Sequence, residues 1–467
     1  MKRNRNFSLL LFVVFLGILF ITFSVISVEA RKYRVKKSKP HKHQNDRNGN
    51  GNRNSPGPAP APLPHYPTRS TIFDVMSFGA KGDGVSDDSK AIIAAWKAAC
   101  KVSGATIEIP SNFQFFLKPI TLQGPCMPNL VLQIDGTLLA PPNVGSWPKS
   151  SLFQWINFKW VQNFTIKGTG IVDGQGYSWW KYSSIYFLQK NSKHIPDMKP
   201  TALRFYSSYD VTVRDIKITN SPQCHLKFDS SRGIKVDNIT ISSPESSPNT
   251  DGIHLQNTQD VEIHNSNFGC GDDCVSIQTG CSNVHIHHIN CGPGHGISIG
   301  GLGKDKTVAC VSNIIVEDIS IQNSLTGVRI KTWQGGIGSV KNVSFLNVQV
   351  SDVKIPIMID QFYCDKKFCK NQTGAVGIRG VKYDRIIGTY SVQPIHLVCS
   401  NEIPCTDVDL IDIQLKPSPG YRGFHQALCW NTYGKSQAPL LPSSIDYCLG
   451  KNGDPVKRIE KSHEHVC

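Results

Sequence analysis

The 467-residue chain contains 50 Lys and Arg and 35 Asp and Glu, which gives a formal net charge of +15. Most of this charge lies in residues 1–70, where 13 basic residues and two acidic ones, Glu29 and Asp46, give a net charge of +11. The remaining chain holds 37 basic against 33 acidic residues, a net of only +4. Because the chain after residue 70 is nearly balanced in charge, it is not expected to form a basic nucleic-acid-binding surface.

The N-terminal segment has the pattern of a secretory signal peptide. Three basic residues precede an uncharged apolar run over 7–28, and Val28-Glu29-Ala30 places small residues where a signal peptidase cleaves. The run is also long enough to span a bilayer. As an anchor, however, it would hold the body in the cytosol, because more basic residues follow it than precede it. We therefore expect residues 1–30 to be removed and the mature chain to be secreted.

The cysteines and glycosylation sequons agree with export. All fifteen cysteines lie after residue 99, which suits an oxidising compartment. None falls in a paired Cys-x-x-Cys zinc pattern, so disulfides are favoured, and the odd count leaves at least one thiol unpaired within the chain. Four Asn-x-Ser/Thr sequons begin at Asn163, Asn238, Asn342 and Asn371.

Residues 31–70 are basic, then Asn/Gly-rich, then Pro-rich, and contain almost nothing apolar to bury. They predict a disordered, partly polyproline-like extension. Its net charge of +9 would suit a polyanion, although charge runs are often simply solvated. The folded part is expected to begin at Thr71 and to form a single domain over 71–467.

An amphipathic helix is the first clear element of this domain. Asp87 or Asp88 suits its N-cap position. The apolar residues that follow share one helical face: Ala91, Ile92, Ala95, Trp96 and Ala99. Because an open sheet edge must be covered, we expect this helix to cap the N-terminal end of a sheet structure.

The rest of the domain repeats. Six segments share a small turn residue, alternating β-branched residues, an Asx-like corner and further apolar residues; they begin at Asp210, Gly233, Asp260, Asn283, Asn313 and Asn342. Their intervals of 23, 27, 23, 30 and 29 residues are typical of solenoid coils. A second strand recurs between them, as GIHLQ at 252, CVSIQ at 274, GISIG at 296, GVRIK at 327 and PIMID at 356.

These repeats predict an all-β fold, a right-handed single-stranded parallel β-helix with an N-terminal capping helix. Each coil buries its apolar face only by stacking on its neighbours. A β-sandwich is the alternative, but the period is too long for hairpins and Asn-Gly hairpin turns are missing.

Several chemically active residues share one position in the second strand's register. Asp251, Asp273 and His295 directly precede GIHLQ, CVSIQ and GISIG, so they should occupy the same corner of successive coils, about 4.8 Å apart. Asp272 lies beside Asp273. Individually these residues predict little, since an Asp-Asp pair, the Asn-Thr-Asp-Gly run or a histidine between glycines is often only a turn. Their common register favours a functional site.

The chemistry of such a site can be stated. Crowded carboxylates cannot all ionise freely, so at least one should have a raised pKa, and a protonated acid beside an ionised base suits glycosidic hydrolysis. Two coils further on, Arg329 and Lys331 point to the same outward face of their strand, although they could simply form a solvated surface. Cations at the site indicate a substrate that carries carboxylates, an acidic polysaccharide.

Four ordered motifs now identify a family. NTDG (249–252), GDD (271–273), GHG (294–296) and RIK (329–331) resemble the signatures of the family 28 glycoside hydrolases, the polygalacturonases. The opening from Phe73 and the segments SPNTDGIH, GVRIKTWQGG and IDQFYCD resemble its plant branch. The resemblance extends from Thr71 to about Cys448.

The resemblance implies roles for the matching residues. Asp272 would be the general acid, Asp251 and Asp273 would activate a water on the opposite face of the sugar, and His295 would tune their protonation. The substrate-binding residues would be Asn249, Arg329, Lys331 and Tyr363. Inversion at the anomeric carbon would suit carboxyl groups roughly 6.5–9.5 Å apart.

The resemblance also implies that Cys274 and Cys291 are bridged. It implies no metal and no cofactor, and a monomer that acts on pectin homogalacturonan in the cell wall. One alternative is a pectate lyase, which would use calcium held by acidic residues and a basic proton acceptor. The other is a wall-binding protein without activity, which would be expected to lack one of the three aspartates.

Overall fold

The computed structural model describes residues 71–148, 154–181, 199–364, 369, 371–420, 426–445, 449 and 467. Backbone contacts separate Met1–Pro67 from Thr68–Cys467, and all described residues belong to the second unit. The predicted signal peptide over 1–30 and the extension over 31–70 lie outside the described residues. Within the described ranges, no helix is both long and apolar enough to span a membrane.

The described chain is built of short strands in two parallel sheets. Its strands are β1 (Ile72–Asp74), β2 (Asp83–Asp87), β3 (Thr106–Ile109), β4 (Gln114–Phe116), β5 (Ile120–Gln123), β6 (Leu130–Ile134), β7 (Thr137–Leu139), β8 (Gln154–Lys159), β9 (Gln162–Lys167), β10 (Ile171–Asp173), β11 (Thr201–Tyr206), β12 (Tyr209–Arg214), β13 (Lys217–Thr219), β14 (Leu226–Asp229), β15 (Arg232–Asp237), β16 (Thr240–Ser242), β17 (Ile253–Gln256), β18 (Gln259–Gly269), β19 (Val275–Ile277), β20 (Ser282–Cys291), β21 (Ile297–Leu302), β22 (Val308–Gln322), β23 (Thr326–Trp333), β24 (Ile337–Val353), β25 (Ile355–Tyr363), β26 (Gly377–Tyr390), β27 (Ile395–Val398), β28 (Cys405–Pro417), β29 (Leu428–Trp430) and β30 (Thr432–Leu441). Helix α1 (Ser89–Ala99), a further α-helical stretch at 177–181 and 3₁₀ turns at Val75–Phe78, Val144–Ser146, Lys304–Lys306 and Ser443–Ile445 accompany them.

The smaller sheet defines the solenoid. Its eleven strands follow chain order from β5 to β29, each pairing in parallel with its counterpart one coil later. In the larger sheet, Val211 pairs with Ile234, Ile234 with Val261, and Val261 with Val284. These pairings have the repeat intervals predicted from the sequence. The parallel β-helix is confirmed, and the β-sandwich alternative is wrong.

Asparagine and aspartate residues turn the chain at the start of each coil. Asp260, Asn283, Asn313 and Asn342 all have φ between 55° and 57°, a left-handed conformation that Asn and Asp tolerate better than most residues. Each asparagine amide donates to the residue below it, over 2.8, 3.0 and 3.1 Å. The polar side chains at this corner are thus hydrogen-bonded from each coil to the next.

Buried side chains stack in the same register inside the solenoid. The Phe205 ring lies between Phe158 and Phe228, with centroid distances of 4.7 and 5.0 Å and interplanar angles of 13° and 14°. Stacking of like residues on successive coils fixes the register of the sheet from inside, and with it the corner residues outside.

Helix α1 covers the N-terminal end, as predicted. Its five predicted apolar residues are all buried, and Trp96 contacts the Phe158 and Phe164 rings. The capping chemistry differs from the prediction, since Asp88 occupies the N-cap position without capping the helix. Its carboxylate instead accepts from the backbone amides of Lys81 and Gly82 at 2.7 and 3.1 Å, which fixes the preceding loop.

The structure describes five disulfides, and the expected Cys274–Cys291 bridge is confirmed. The other described bridges are Cys100–Cys126, Cys310–Cys467, Cys364–Cys369 and Cys399–Cys405. Three described cysteines, Cys224, Cys270 and Cys281, are free and buried.

Candidate active site

The predicted corner exists in the smaller sheet. Ile253 of β17 pairs with Val275 of β19, which pairs with Ile297 of β21. Asp251, Asp273 and His295 each stand two residues before these positions, so they follow one another on three successive coils. Asp251 and Asp273 are buried, at 8% and 2% exposure, and His295 is half-buried.

Asp272 forms a close pair with His295. The imidazole Nδ1 lies 2.9 Å from the carboxylate Oδ1, and the His295 amide donates to the Asp272 carbonyl at 2.8 Å. The exposed Asn249 side chain donates to the second carboxylate oxygen at 3.2 Å. The Asp272 carboxylate is therefore oriented from both sides, by Asn249 of the first motif and His295 of the third.

Electrostatics keep Asp272 ionised in this structure. Burial opposes its charge, but the His295 hydrogen bond and the positive charges of His295, Lys331 and Arg329 outweigh burial and lower the pKa to about 2. The family resemblance predicted a protonated general acid at this residue. In the free structure the pKa of Asp272 is instead lowered, whereas the predicted role requires a protonated carboxyl group.

Asp251 is the carboxyl group whose pKa is raised. Burial is the main cause, the negative charges of Asp272 and Asp273 add to it, and the contact with His254 opposes it. The His254 Nδ1 lies 3.0 Å from Asp251 Oδ2. The expectation that one crowded carboxyl has a raised pKa therefore agrees with the structure, but for Asp251 and not for Asp272.

Asp273 is held by two cations. Arg329 Nη2 lies 2.6 Å from Oδ1, and Lys331 Nζ lies 3.0 Å from Oδ2. Ser298 also donates to Oδ1 at 2.7 Å and accepts from Arg329 Nε at 3.0 Å. Arg329 and Lys331 are each only 7% exposed, so the alternative of a solvated strand face is wrong.

The cationic group extends to an aromatic wall. Lys331 Nζ lies 5.5 Å from the centre of the Tyr363 ring, within cation–π range. That ring packs edge-on against Trp333 at 5.3 Å, and Lys304 lies over Trp333 at 4.6 Å. Tyr363, predicted to bind substrate, is therefore next to the predicted carboxylate-binding lysine.

His254 and Ser298 are site residues that were not predicted from the sequence. Both lie in one outward row of the sheet, in which His254 pairs with Ser276, Ser276 with Ser298, and Ser298 with Arg329. This row is the third letter of GIHLQ, CVSIQ, GISIG and GVRIK. The aligned second strands therefore contained the signal that would have identified both residues.

A polar cavity opens beside His254. Its volume is about 280 Å³, and its lining includes Gln256, Gln278, Lys304 and Thr307. A sugar chain that passes the aspartates would find hydrogen-bonding groups and one cation there.

Two clusters of possible metal ligands occur in the described residues. Asp272, Asp273 and His295 offer atoms that all lie within 4.8 Å of one another, and so do Cys224, Asp251 and His254. For the Asp272–Asp273 pair this limit applies to one oxygen of each residue, and it does not fix the separation of the two carboxyl groups, which is roughly 6.5–9.5 Å in inverting glycosidases. Carboxylate spacing alone therefore does not specify inversion here.

Comparison with known proteins identifies the family. A probable polygalacturonase of Arabidopsis thaliana is 40% identical over 379 residues, covering 80% of this chain and 84% of the relative. Polygalacturonase-2 of Solanum lycopersicum is 40% identical over 375 residues, covering 79% and 80%. The polygalacturonase structure from Erwinia carotovora has a TM-score of 0.65 at 23% identity, covering 79% of this chain and 98% of that one, which supports the right-handed parallel β-helix fold. The sequence profile of glycosyl hydrolases family 28 matches residues 100–432, and the chain therefore belongs to that family.

Proposed function

We propose that this protein is a polygalacturonase, which hydrolyses α-1,4-galacturonosidic bonds of pectin homogalacturonan with inversion. The observation that carries the proposal is the corner of three aspartates on adjacent coils, in which each carboxylate has a different environment. Asp272 is paired with an imidazole, Asp251 is buried with a raised pKa, and Asp273 is held by two cations. The polygalacturonases among the relatives give the substrate class.

The Asp272–His295 pair supplies the proton. We assign one transferable proton to the pair, which can be bound by either the Asp272 carboxylate or the His295 imidazole. A bound galacturonate adds a negative charge and removes water, and both effects raise the pKa of Asp272. The proton then moves across the 2.9 Å contact to Asp272, which donates it to the glycosidic oxygen that leaves.

The remaining carboxylates act on the water. Asp273 is held in place by Arg329 and Lys331, so it can orient a water and accept its hydrogen bond. Asp251 shares this role, and its contact with His254 favours its charged form. The inverting outcome follows from attack of that water on the face opposite Asp272.

Substrate binding uses donors that Asp273 leaves free. An ammonium group has three donors and a guanidinium has five, so Lys331 and Arg329 each retain donors for a galacturonate carboxylate. Tyr363 lies beside Lys331, and Asn249 lies beside Asp272, so we assign both to substrate binding. An acidic sugar is favoured over a neutral one because a neutral sugar would leave these cations without a second anion.

We also propose secretion to the cell wall as a monomeric glycoprotein. The asparagines of all four sequons are exposed, at Asn163, Asn238, Asn342 and Asn371. The plant relatives and the signal pattern of residues 1–30 support the same destination. The described disulfides suit an oxidising compartment.

Chelation separates hydrolysis from the lyase alternative. Because the mechanism above uses only protein groups, activity on a short galacturonate oligomer should persist in excess EDTA. The products should be saturated, without the ultraviolet absorbance of an unsaturated uronide. Loss of activity in EDTA with recovery on added calcium would instead identify a lyase, and no cleavage at all under either condition would identify a wall-binding protein.

Replacement of His295 tests the shared proton. In His295→Gln, Asp272 loses the hydrogen bond and the charge that lower its pKa, so Asp272 must take its proton from solvent. Turnover near neutral pH should fall by about 10²-fold, and the alkaline limb of the pH–rate profile should move to lower pH. An unchanged limb with reduced turnover at every pH would show that His295 only positions Asp272.

A further inference from the structure

A free cysteine extends the catalytic row by one coil. Leu226 of β14 pairs with Ile253 of β17, so Cys224, two residues before Leu226, occupies the same position as Asp251. The order along this corner is therefore Cys224, Asp251, Asp273 and His295. Cys224 forms no disulfide and is 6% exposed.

The thiol, a carboxylate and an imidazole converge at this end of the row. The sulfur of Cys224, an oxygen of Asp251 and a ring nitrogen of His254 all lie within 4.8 Å of one another. In a tetrahedral zinc site with one sulfur ligand, ligand atoms are about 3.3–3.8 Å apart. His254 Nδ1 and Asp251 Oδ2 are already 3.0 Å apart, so only the distances to the Cys224 sulfur need to shorten, by at most about an ångström.

The donor set selects the type of ion. Sulfur and imidazole nitrogen favour borderline and soft cations such as Zn²⁺ and Cd²⁺, whereas Ca²⁺ and Mg²⁺ require oxygen ligands. The nearby carboxylates of Asp272 and Asp273 add negative potential that favours a cation, as their effect on Asp251 indicates. His254 is half-buried and also lines the 280 Å³ cavity, which gives an ion a path from solvent.

The second cluster of possible ligands is a poorer site. Asp273 already binds Arg329 and Lys331 through both of its oxygens, so a metal at Asp272, Asp273 and His295 would be repelled by two fixed positive charges. That cluster also has no sulfur ligand. A thiophilic ion that enters the corner should therefore bind on the Cys224 side.

We propose that Cys224, Asp251 and His254 form an inhibitory site for thiophilic divalent cations. Binding replaces the thiol proton, so that Cys224–SH and M²⁺ give a Cys224–S–M⁺ centre and one H⁺ released to solvent. The ion also occupies the carboxylate of Asp251, which can then no longer activate water. The inhibitory effect rests on the proposed hydrolase function, whereas the binding site itself does not.

The test uses Cd²⁺ on the metal-free, full-length mature protein. Titration should show about one bound equivalent with thiolate-to-cadmium absorption in the ultraviolet, and hydrolysis of a short galacturonate oligomer should fall at least about tenfold at saturation. Ca²⁺ and Mg²⁺ at the same concentration should have no such effect. A short oligomer avoids the cation binding of polymeric pectin.

Cys224→Ser, with Cys224→Val as a second variant, should remain active and weaken Cd²⁺ binding by at least about tenfold, since loss of even an outer-shell partner costs roughly 10–100-fold. Cys281→Ser is the matched control, because Cys281 is also free and buried but belongs to neither ligand cluster. Equal Cd²⁺ binding by the wild type and both Cys224 variants, or no thiolate absorption, would overturn the proposal. Binding without any hydrolysis to inhibit would contradict the proposed function and leave the metal site standing.

Discussion

Asp272→Asn is expected to lower turnover on a short oligogalacturonate by roughly 10²–10⁴-fold, the usual contribution of a general acid. The amide keeps the shape of the carboxyl group but cannot donate the proton to the leaving oxygen. The cations Arg329 and Lys331 bind Asp273 and are not contacted by this change, so substrate affinity should be retained. Single-turnover kinetics and equilibrium binding of the oligomer measure the two quantities separately.

Asp318→Asn provides a matched control for this substitution. Asp318 has a left-handed φ of 55° at a corner of the larger sheet, where asparagine is equally tolerated. Its Oδ1 accepts from Asn347, an interaction that an asparagine oxygen preserves. The control should have wild-type turnover. Wild-type turnover in Asp272→Asn as well would show that another group donates the proton.

The position of the site could be predicted because the fold is periodic. Once GIHLQ, CVSIQ and GISIG are aligned, the preceding residues Asp251, Asp273 and His295 must fall on one corner, whatever their side-chain conformations. The same logic predicted that Arg329 and Lys331 face outward. In a solenoid, residues at equivalent positions of successive repeats lie next to one another in space. Buried stacks such as Phe158, Phe205 and Phe228 hold the coils in this register.

The partners within the site could not be predicted in this way. Arg329 reaches Asp273 across two coils, and this contact depends on side-chain conformation and on Ser298 between them. Which of Asp251 and Asp272 has the higher pKa could likewise not be predicted from the sequence. The answer depends on the burial of Asp251 and on the 2.9 Å contact of Asp272 with His295. Composition and spacing report that carboxylates are crowded, but not which of them holds a proton.

Asp273→Asn and Asp251→Asn should both reduce hydrolysis, yet they should change stability in different directions. Asp273 has a side chain only 3% exposed and neutralises two buried cations. Its replacement leaves Arg329 and Lys331 without their shared counter-charge, so the free energy of unfolding should fall by about 3–5 kcal/mol. Asp251 has no such cation, and its replacement should leave stability unchanged or raised at neutral pH.

The pH dependence of Asp251→Asn follows from the raised pKa. Between the ordinary value of 3.8 and the raised value, the native wild type binds more protons than the unfolded chain, so its stability falls as the pH rises. The asparagine variant has no buried carboxylate to ionise and so does not lose this stability. The gain in the free energy of unfolding of the variant over the wild type should therefore be largest above the raised pKa and disappear below the ordinary pKa.

Urea unfolding of the wild type and both variants at acidic and neutral pH measures these differences directly. We expect Asp273→Asn to be the least stable of the three at neutral pH and Asp251→Asn to be at least as stable as the wild type. Equal destabilisation by both substitutions would mean that Arg329 and Lys331 are neutralised by the whole carboxylate cluster and not by Asp273 alone. The opposite signs expected here would instead show that each carboxylate has its own function, since Asp273 stabilises the cations while Asp251 is retained at a cost in stability because catalysis needs it.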